Sequence, residues 1–261
     1  MENIISKTLL LPLYFRALDA RSENPILNDK VALDLVKNFE FDEKLMKKAK
    51  FSQAGTIARA KFLDDIARNF IKNNQNPVIV NMATGLDTRT LRVYDKGAKF
   101  YDLDLPEVIK IRKKYIKDKS VVLDANAFED KFNEELLKNQ DASFCFIYEG
   151  FFMYFDKLQI TNLLRNLTQN FSGVIAGDFN FGSFWEKNKS KHDTIKSNEA
   201  SFKTSFQNLD ELLQVSPKLK LKQEKFYYDK DFAQMLGWRR YLMMAMPKKM
   251  KDAMRLLELE F

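Results

Sequence analysis

From residue 76 onward, short apolar runs alternate with amphipathic segments. The runs Val78–Asn81, Lys99–Leu103, Val121–Leu123, Phe144–Tyr148 and Gly173–Asp178 read as strands, and 88–93, 106–115, 131–138 and 156–169 carry helical spacing. Buried strands joined by crossovers of this length predict an α/β fold, a parallel sheet with helices on both faces. Residues 1–75 read as helices alone, with Asn24-Pro25 as a break and Gly55 close to the start of the strongest one. After 180 the pattern loosens into polar helical stretches at 183–198 and 208–214. Leu219, Leu221, Gln223 and Lys225 then alternate as a sixth strand, and Met254 to Phe261, which partly alternate and also allow a helix, are expected to form a closing edge strand.

The chain has 261 residues, which suits one α/β enzyme domain with an added cap. The expected division is a helical cap at 1–75, a ligand-binding core at 76–179, a substrate-side insert at 180–216 and closing strands at 217–261. Hydrophobic residues at 45%, charged residues at 30% and 23 Phe describe a chain that folds. The single cysteine, Cys145, lies inside an apolar run, so a disulfide framework and a cysteine-based metal site are excluded, and a reducing cytoplasm fits. The apolar stretch Leu9 to Phe15 is too short to span a bilayer, and Arg16, Asp19 and Arg21 follow it. A net charge of +7 raises nucleic acid as a partner. However, Asp118 interrupts the basic segment Lys110 to Lys119 and no aromatic-interleaved RNA motif is present, so a solvated helix face is expected there. The positive field would favour an anionic small substrate.

In an open parallel sheet, ligands bind beyond the carboxyl ends of the strands. After the first strand, Asn81 to Arg89 contains Gly85, where the backbone can approach a ligand. After the second, Asp104 stands about 20 residues past that turn, where a ribose diol would be held, or where an aspartate would cap the helix opened by Pro106. Glu149 ends the fourth strand in apolar surroundings, so its charge requires a polar partner. Arg59 shares a helix stripe with Leu63, Ile66 and Phe70, within about 40° of each, while Lys61, Asp64, Asp65, Arg68 and Lys72 fall on the opposite side. An inward guanidinium requires an anion, from the protein or from a ligand. The residues alone leave both open.

The string Val78 to Arg92, with Asn81, Gly85, Leu86, Asp87, Thr88 and Arg89, resembles the signature of the leucine carboxyl methyltransferases and polyketide O-methyltransferases. So do Tyr101 to Arg112 with Asp104-Leu105-Pro106, the run Glu149-Gly150-Phe151-Phe152-Met153-Tyr154, and the opening Leu9 to Ala17 with Pro12, Tyr14 and Arg16. The resemblance implies a Rossmann-like class I methyltransferase, a sheet of seven strands with the last antiparallel, binding S-adenosylmethionine. In that pattern Arg59 would hold the methionine carboxylate, Gly85 would lie against the amino-acid portion and Asp104 would bind the ribose. Asp124 and Ala125 would lie by the adenine, and Glu149 near the amino group or sulfonium. Two departures stand out: Ala83 replaces the usual Gly beside the cofactor path, and Ala127 replaces an acidic residue.

Methyl transfer is an in-line displacement at a carbon already activated by the sulfonium, so alignment and desolvation suffice, with no metal and no covalent nucleophile. The sequence carries no HExxH, CxxC, GxSxG or Walker-type phosphate loop. The expected function is O-methylation of a small molecule. Tyr14, Arg16 and His192 are the candidates for the acceptor pocket, and Tyr14, His192 or an acidic residue the candidates for proton transfer. Because a carboxylate needs no base, the scarcity of bases points to a carboxylate or an acidic hydroxyl, with Arg16 as its cation. Two other readings stay open: a methyltransferase of carboxyl groups on modified RNA nucleosides, and a family member that binds the cofactor without turnover. A nicotinamide oxidoreductase would need a full GxGxxG turn, which Met82-Ala83-Thr84-Gly85 is not.

Overall fold

The computed structural model describes residues 7–41, 49–188, 203, 206–227 and 252–261. Its strands are β1 (Pro77–Met82), β2 (Lys99–Asp104), β3 (Val121–Asp124), β4 (Ser143–Tyr148), β5 (Gly173–Asn180), β6 (Lys220–Phe226) and β7 (Met254–Glu260). They form one sheet in the order β3-β2-β1-β4-β5-β7-β6. The first five pair in parallel, and β7 runs antiparallel to both β5 and β6. The seven strands and the antiparallel last strand are as the sequence and the resemblance led us to expect. One placement differs. Residues 254–260 do not form an edge strand but lie between β5 and β6, because Leu256, Leu257 and Leu259 are all fully buried. The edge falls to β6, whose Lys220, Leu221, Lys222 and Gln223 are exposed, and edge lysines discourage pairing with another chain.

The described helices are α1 (Lys7–Ala20), α2 (Lys30–Leu35), α3 (Lys50–Asn73), α4 (Arg89–Val93), α5 (Pro106–Tyr115), α6 (Lys131–Leu136), α7 (Lys157–Asn170), α8 (Phe184–Lys187) and α9 (Leu209–Leu213). The four crossover helices end within two residues of their expected limits. Pro106 opens α5, where a missing N–H costs nothing. A capping box opens α7: Gln159 N donates to Asp156 Oδ1 at 3.0 Å, and Asp156 N donates to Gln159 Oε1 at 3.2 Å. The expected helix at 183–198 begins as α8, and 189–198 lie outside the described residues.

Strand alternation divides the core between the two faces of the sheet. Phe144, Phe146 and Tyr148 of β4 pack with Leu136 of α6 and with Leu163 and Leu167 of α7. Cys145 and Ile147 pack instead with Phe62, Leu63, Ile66 and Phe70 of α3. A third cluster joins α1 and α2 through Leu13, Phe15, Ala32 and Leu35. Asp64, expected on the solvent side of α3, is only 1% exposed. It accepts from Arg89 Nε at 2.9 Å and Arg92 Nε at 2.7 Å, so two guanidinium partners override its helix-wheel position. Among the described residues no helix is long and apolar enough to cross a membrane.

Gly173 starts β5 at φ +144°, and a Cβ there would lie 2.0 Å from the Phe144 carbonyl oxygen. Gly173→Ala is therefore expected to lower stability by about 3 kcal/mol or more, through backbone displacement of β5 from β4. Urea denaturation checks this, and a midpoint equal to that of the wild type contradicts it.

Candidate cofactor-binding site

The chain passes from β1 outward to β2 and β3, then returns to the other flank of β1 as β4. At such a reversal the flanking loops diverge and leave a crevice at the carboxyl ends of the strands. A cavity of about 570 Å³ opens there. Its walls are the turn 81–87 after β1, the tip of β2, residues 125–128 after β3, residues 149–155 around the end of β4, and Leu9 and Pro12 of α1.

Asp104 lies at the tip of β2. Its Oδ2 accepts from Gly85 N at 2.7 Å and its Oδ1 from Leu105 N at 2.8 Å, which fixes the carboxylate while leaving each oxygen a further lone pair. Burial pushes the Asp104 carboxyl above the ordinary aspartate range, against the pull of these two N–H donors. Gly85 has φ +54° and a Cβ there would come within 2.9 Å of Leu9 Cδ1, so α1 closes directly over the turn. Ala83 adopts φ +51° and lines the cavity. It keeps the left-handed geometry a glycine would supply, at a cost of roughly 1–2 kcal/mol. Ala125 is buried and lines the cavity, whereas Asp124 is exposed and is not among the lining residues. Asn126, on the other side of Ala125, lines the cavity instead.

Arg59 is 9% exposed and lines the same cavity. Its Nη1 donates to Asp178 Oδ2 at 2.9 Å, and its Nε lies 3.2 Å from Glu149 Oε1. This contact is an ion pair without hydrogen-bond geometry, so Nε remains a buried donor without a hydrogen bond. Burial opposes the charge on Arg59, yet Asp178, with the Tyr227 hydroxyl and Glu149, over-compensates and raises its pKa. Arg89 Nη2 holds Glu149 Oε2 at 2.5 Å. Glu149 and Arg59, predicted separately from opposite charge problems, thus meet each other as well as the cavity.

The acceptor candidates are placed differently. Tyr14 is 6% exposed, packs edge-on against Phe15 and at a tilt against Phe41 in the α1–α2 cluster, and is not among the cavity-lining residues. Arg16 does reach the cavity wall, but its guanidinium is engaged within the protein: Nε donates to Asp29 at 3.0 Å and Nη2 to the Leu86 carbonyl at 2.8 Å. It is a buried support of the 85–87 turn, neither a solvated residue nor a cation held out toward an acceptor. Burial pushes the Asp29 carboxyl up, but Arg16 and Arg92, with donors from Thr88 and Ala32, bring it below its ordinary value. His192 lies outside the described residues.

Sequence reasoning missed three parts of the site: Asp178, Arg89 and Arg112. Asp178 near the end of β5 is fully buried, and the reasoning applied to Glu149, a carboxylate ending an apolar strand, would have found it. Arg89 pairs with Asp64, Asp87 and Glu149. Arg112 of α5 donates to the carbonyls of Gly85 and Asp87 and pairs with Asp102 and with Asp118 at 2.9 Å, stapling the β1 turn to β2.

The sequence model of the leucine carboxyl methyltransferase family matches residues 10–168, more than half of the chain and every cavity wall named above except part of α1. The chain belongs to the leucine carboxyl methyltransferase family. It is 28% identical over 186 residues to the S-adenosyl-L-methionine-dependent methyltransferase dpfgK of Gibberella zeae, covering 64% of this chain and 62% of the relative. To the tetracenomycin polyketide synthesis O-methyltransferase TcmP of Streptomyces glaucescens it is 26% identical over 178 residues, covering 67% of this chain and 65% of the relative. The chain thus matches slightly less than two thirds of the length of either one. The fold is similar to that of a Thermobifida fusca YX protein provisionally assigned as a methyltransferase, with a TM-score of 0.57, 12% identity and coverage of 94% and 93% of the two chains.

Within this leucine carboxyl methyltransferase scaffold, Arg59→Met removes a guanidinium whose buried Nε lacks a hydrogen bond, and strands the buried charge of Asp178. We expect S-adenosylhomocysteine to bind about 2–4 kcal/mol more weakly, with a lower melting temperature besides. Calorimetric titration showing unchanged affinity would reduce Arg59 to a structural ion pair. A second expectation concerns pH. Ionised Asp104 can accept one more hydrogen bond on each oxygen beyond those from Gly85 and Leu105, and protonation converts one oxygen into a donor. Affinity should therefore fall as pH drops through the raised pKa of Asp104, beginning above the usual aspartate value of about 4. The Asp104→Asn variant should bind more weakly and lose that portion of the pH dependence, and a mutant profile parallel to the wild type refutes the assignment.

Proposed function

We propose that this protein is an S-adenosylmethionine-dependent O-methyltransferase acting on a carboxylate or acidic hydroxyl of a small molecule. The observation that carries this reading is the order of groups along one cavity: Ala125 and Asn126 after β3, Asp104 at β2, Ala83 and Gly85 at the β1 turn, and Arg59 with Glu149 beside β4. That order matches adenine, ribose and amino acid in sequence. Charge balance agrees. The connected cluster around the amino-acid end holds four guanidinium groups, Arg16, Arg59, Arg89 and Arg92, against five carboxylates, Asp29, Asp64, Asp87, Glu149 and Asp178. Its excess negative charge favours a ligand of net positive charge, which a sulfonium supplies, and disfavours the pyrophosphate of a dinucleotide.

Bound S-adenosylmethionine would supply a methyl group on a sulfonium. The work left to the chain is to grip, align and exclude water. Arg59 and Glu149 would hold the amino acid from opposite charge signs, Asp104 the ribose, and Ala125 would border the base. Met153, Tyr154 and Phe155 give the region next to Glu149 an apolar wall, suited to an acceptor with an apolar body. Arg16, Arg59 and Arg89, the arginines that line the cavity, already face protein carboxylates. These pairings offer the acceptor no free cation from the described arginines, so the preference for an oxygen that ionises readily rests on its needing no base, unlike an alcohol.

Thermal-shift and calorimetric titrations are the test. S-adenosylmethionine and S-adenosylhomocysteine should bind and raise the melting temperature, while nicotinamide dinucleotides should not. Dinucleotide binding without adenosylmethionine binding would overturn the proposal. Methyl transfer from radiolabelled cofactor to a panel of small carboxylic acids and phenols then separates an active enzyme from a protein that binds the cofactor without turnover.

A further inference from the structure

Asp178 lies outside the cavity wall and yet touches two of its members. It is 0% exposed and accepts three hydrogen bonds: from Gly150 N to Oδ1 at 2.6 Å, and from Arg59 Nη1 at 2.9 Å and the Tyr227 hydroxyl at 3.2 Å to Oδ2. Arg59 and Gly150 line the cavity; Asp178 and Tyr227 are behind them. Arg59 therefore has two unlike carboxylate partners. Asp178 holds it from the sealed side, while Glu149, itself a wall residue paired with Arg89, lies 3.2 Å from its Nε at the cavity wall.

We infer that Asp178 is a positioning residue that keeps Arg59 aimed at the amino-acid end of the ligand when Glu149 exchanges partners. This rests on the function proposed above. An amino-acid group brings both an anion and a cation to the Arg59–Glu149 contact. Its carboxylate competes with Glu149 for the Nε side of Arg59, and its ammonium competes with Arg59 for Glu149. A guanidinium on a long side chain, released from Glu149 with nothing behind it, would regain rotamer freedom at the moment it has to bind. Asp178 removes that freedom in advance, because its hold on Nη1 lies on the side the ligand does not reach. The Gly150 N–H and the Tyr227 hydroxyl fix the carboxylate in turn, so the arrangement does not depend on the ligand.

The test compares two probes that share adenosine and the thioether, S-adenosylhomocysteine, which has the amino-acid portion, and 5′-methylthioadenosine, which lacks it. In Asp178→Asn, affinity for S-adenosylhomocysteine should fall by about tenfold or more, with 5′-methylthioadenosine binding within about twofold of the wild type. Equal losses for both probes would mean that Asp178 only supports the fold, and no loss for either would mean that Arg59 needs no anchor. The charge-balanced double variant Arg59→Met/Asp178→Asn removes both members of the buried pair, which decides the matter even if Asp178→Asn folds poorly. Measured against Arg59→Met, it should bind S-adenosylhomocysteine with the same affinity within about twofold, and a further loss overturns a role through Arg59. Wild-type protein that fails to bind S-adenosylhomocysteine removes the proposed function itself, whereas wild-type binding that Asp178→Asn leaves unchanged removes this inference alone.

Discussion

A guanidinium held between two carboxylates at the switch point of the sheet is the constraint on which the site depends. Arg59 enters on the apolar stripe of a 24-residue helix and meets Asp178 from β5 and Glu149 from the end of β4. None of the three could keep its charge in that interior alone. Their mutual pairing therefore fixes where α3 sits against the sheet, and it places a cation and an anion side by side where β1 and β4 diverge. The arrangement that makes burial tolerable is also one that can greet a ligand carrying both charges.

The same device ties the helical preface to the site. Asp29, at the start of α2, accepts from Arg16 of α1, from Thr88 at the end of the β1 turn at 2.5 Å, and from Arg92 of α4 at 3.1 Å. Arg92 continues to Asp64 of α3, and Arg112 secures the other side of the turn. Leu9 can close over Gly85 because α1 is held there by buried ion pairs and not by apolar packing alone. The positive φ at Ala83 belongs to the same picture: a turn fixed from both sides can impose a backbone conformation that an alanine does not favour.

The strands and crossover helices were legible because alternation and helical spacing are written locally, and each survived into the structure within a residue or two. Asp104 was legible because the geometry of a βα turn makes the tip of the next strand a predictable place. Asp178 was readable by the rule applied to Glu149, since the expected fifth strand ends on it, but its partners Arg59 and Tyr227 come from elements far along the chain. Arg16 and Asp64 were misjudged, the first as a cation directed at an acceptor and the second as a solvent-facing charge. In both cases the decisive partner lies on another element: Asp29 is 13 residues from Arg16, and Arg92 is 28 residues from Asp64.

By itself, then, the sequence determined the type and order of the main elements, with helices before the sheet, and the need for an anion near Arg59 and a polar partner near Glu149. Only the tertiary structure decided that β7 inserts between β5 and β6, and that Arg59 and Glu149 answer each other with Asp178 behind them. The difference is physical. Periodicity is a property of neighbouring residues, whereas the partner of a buried charge is settled by competition among all carboxylates the fold brings within reach, and Asp178 stands 119 residues from Arg59 along the chain.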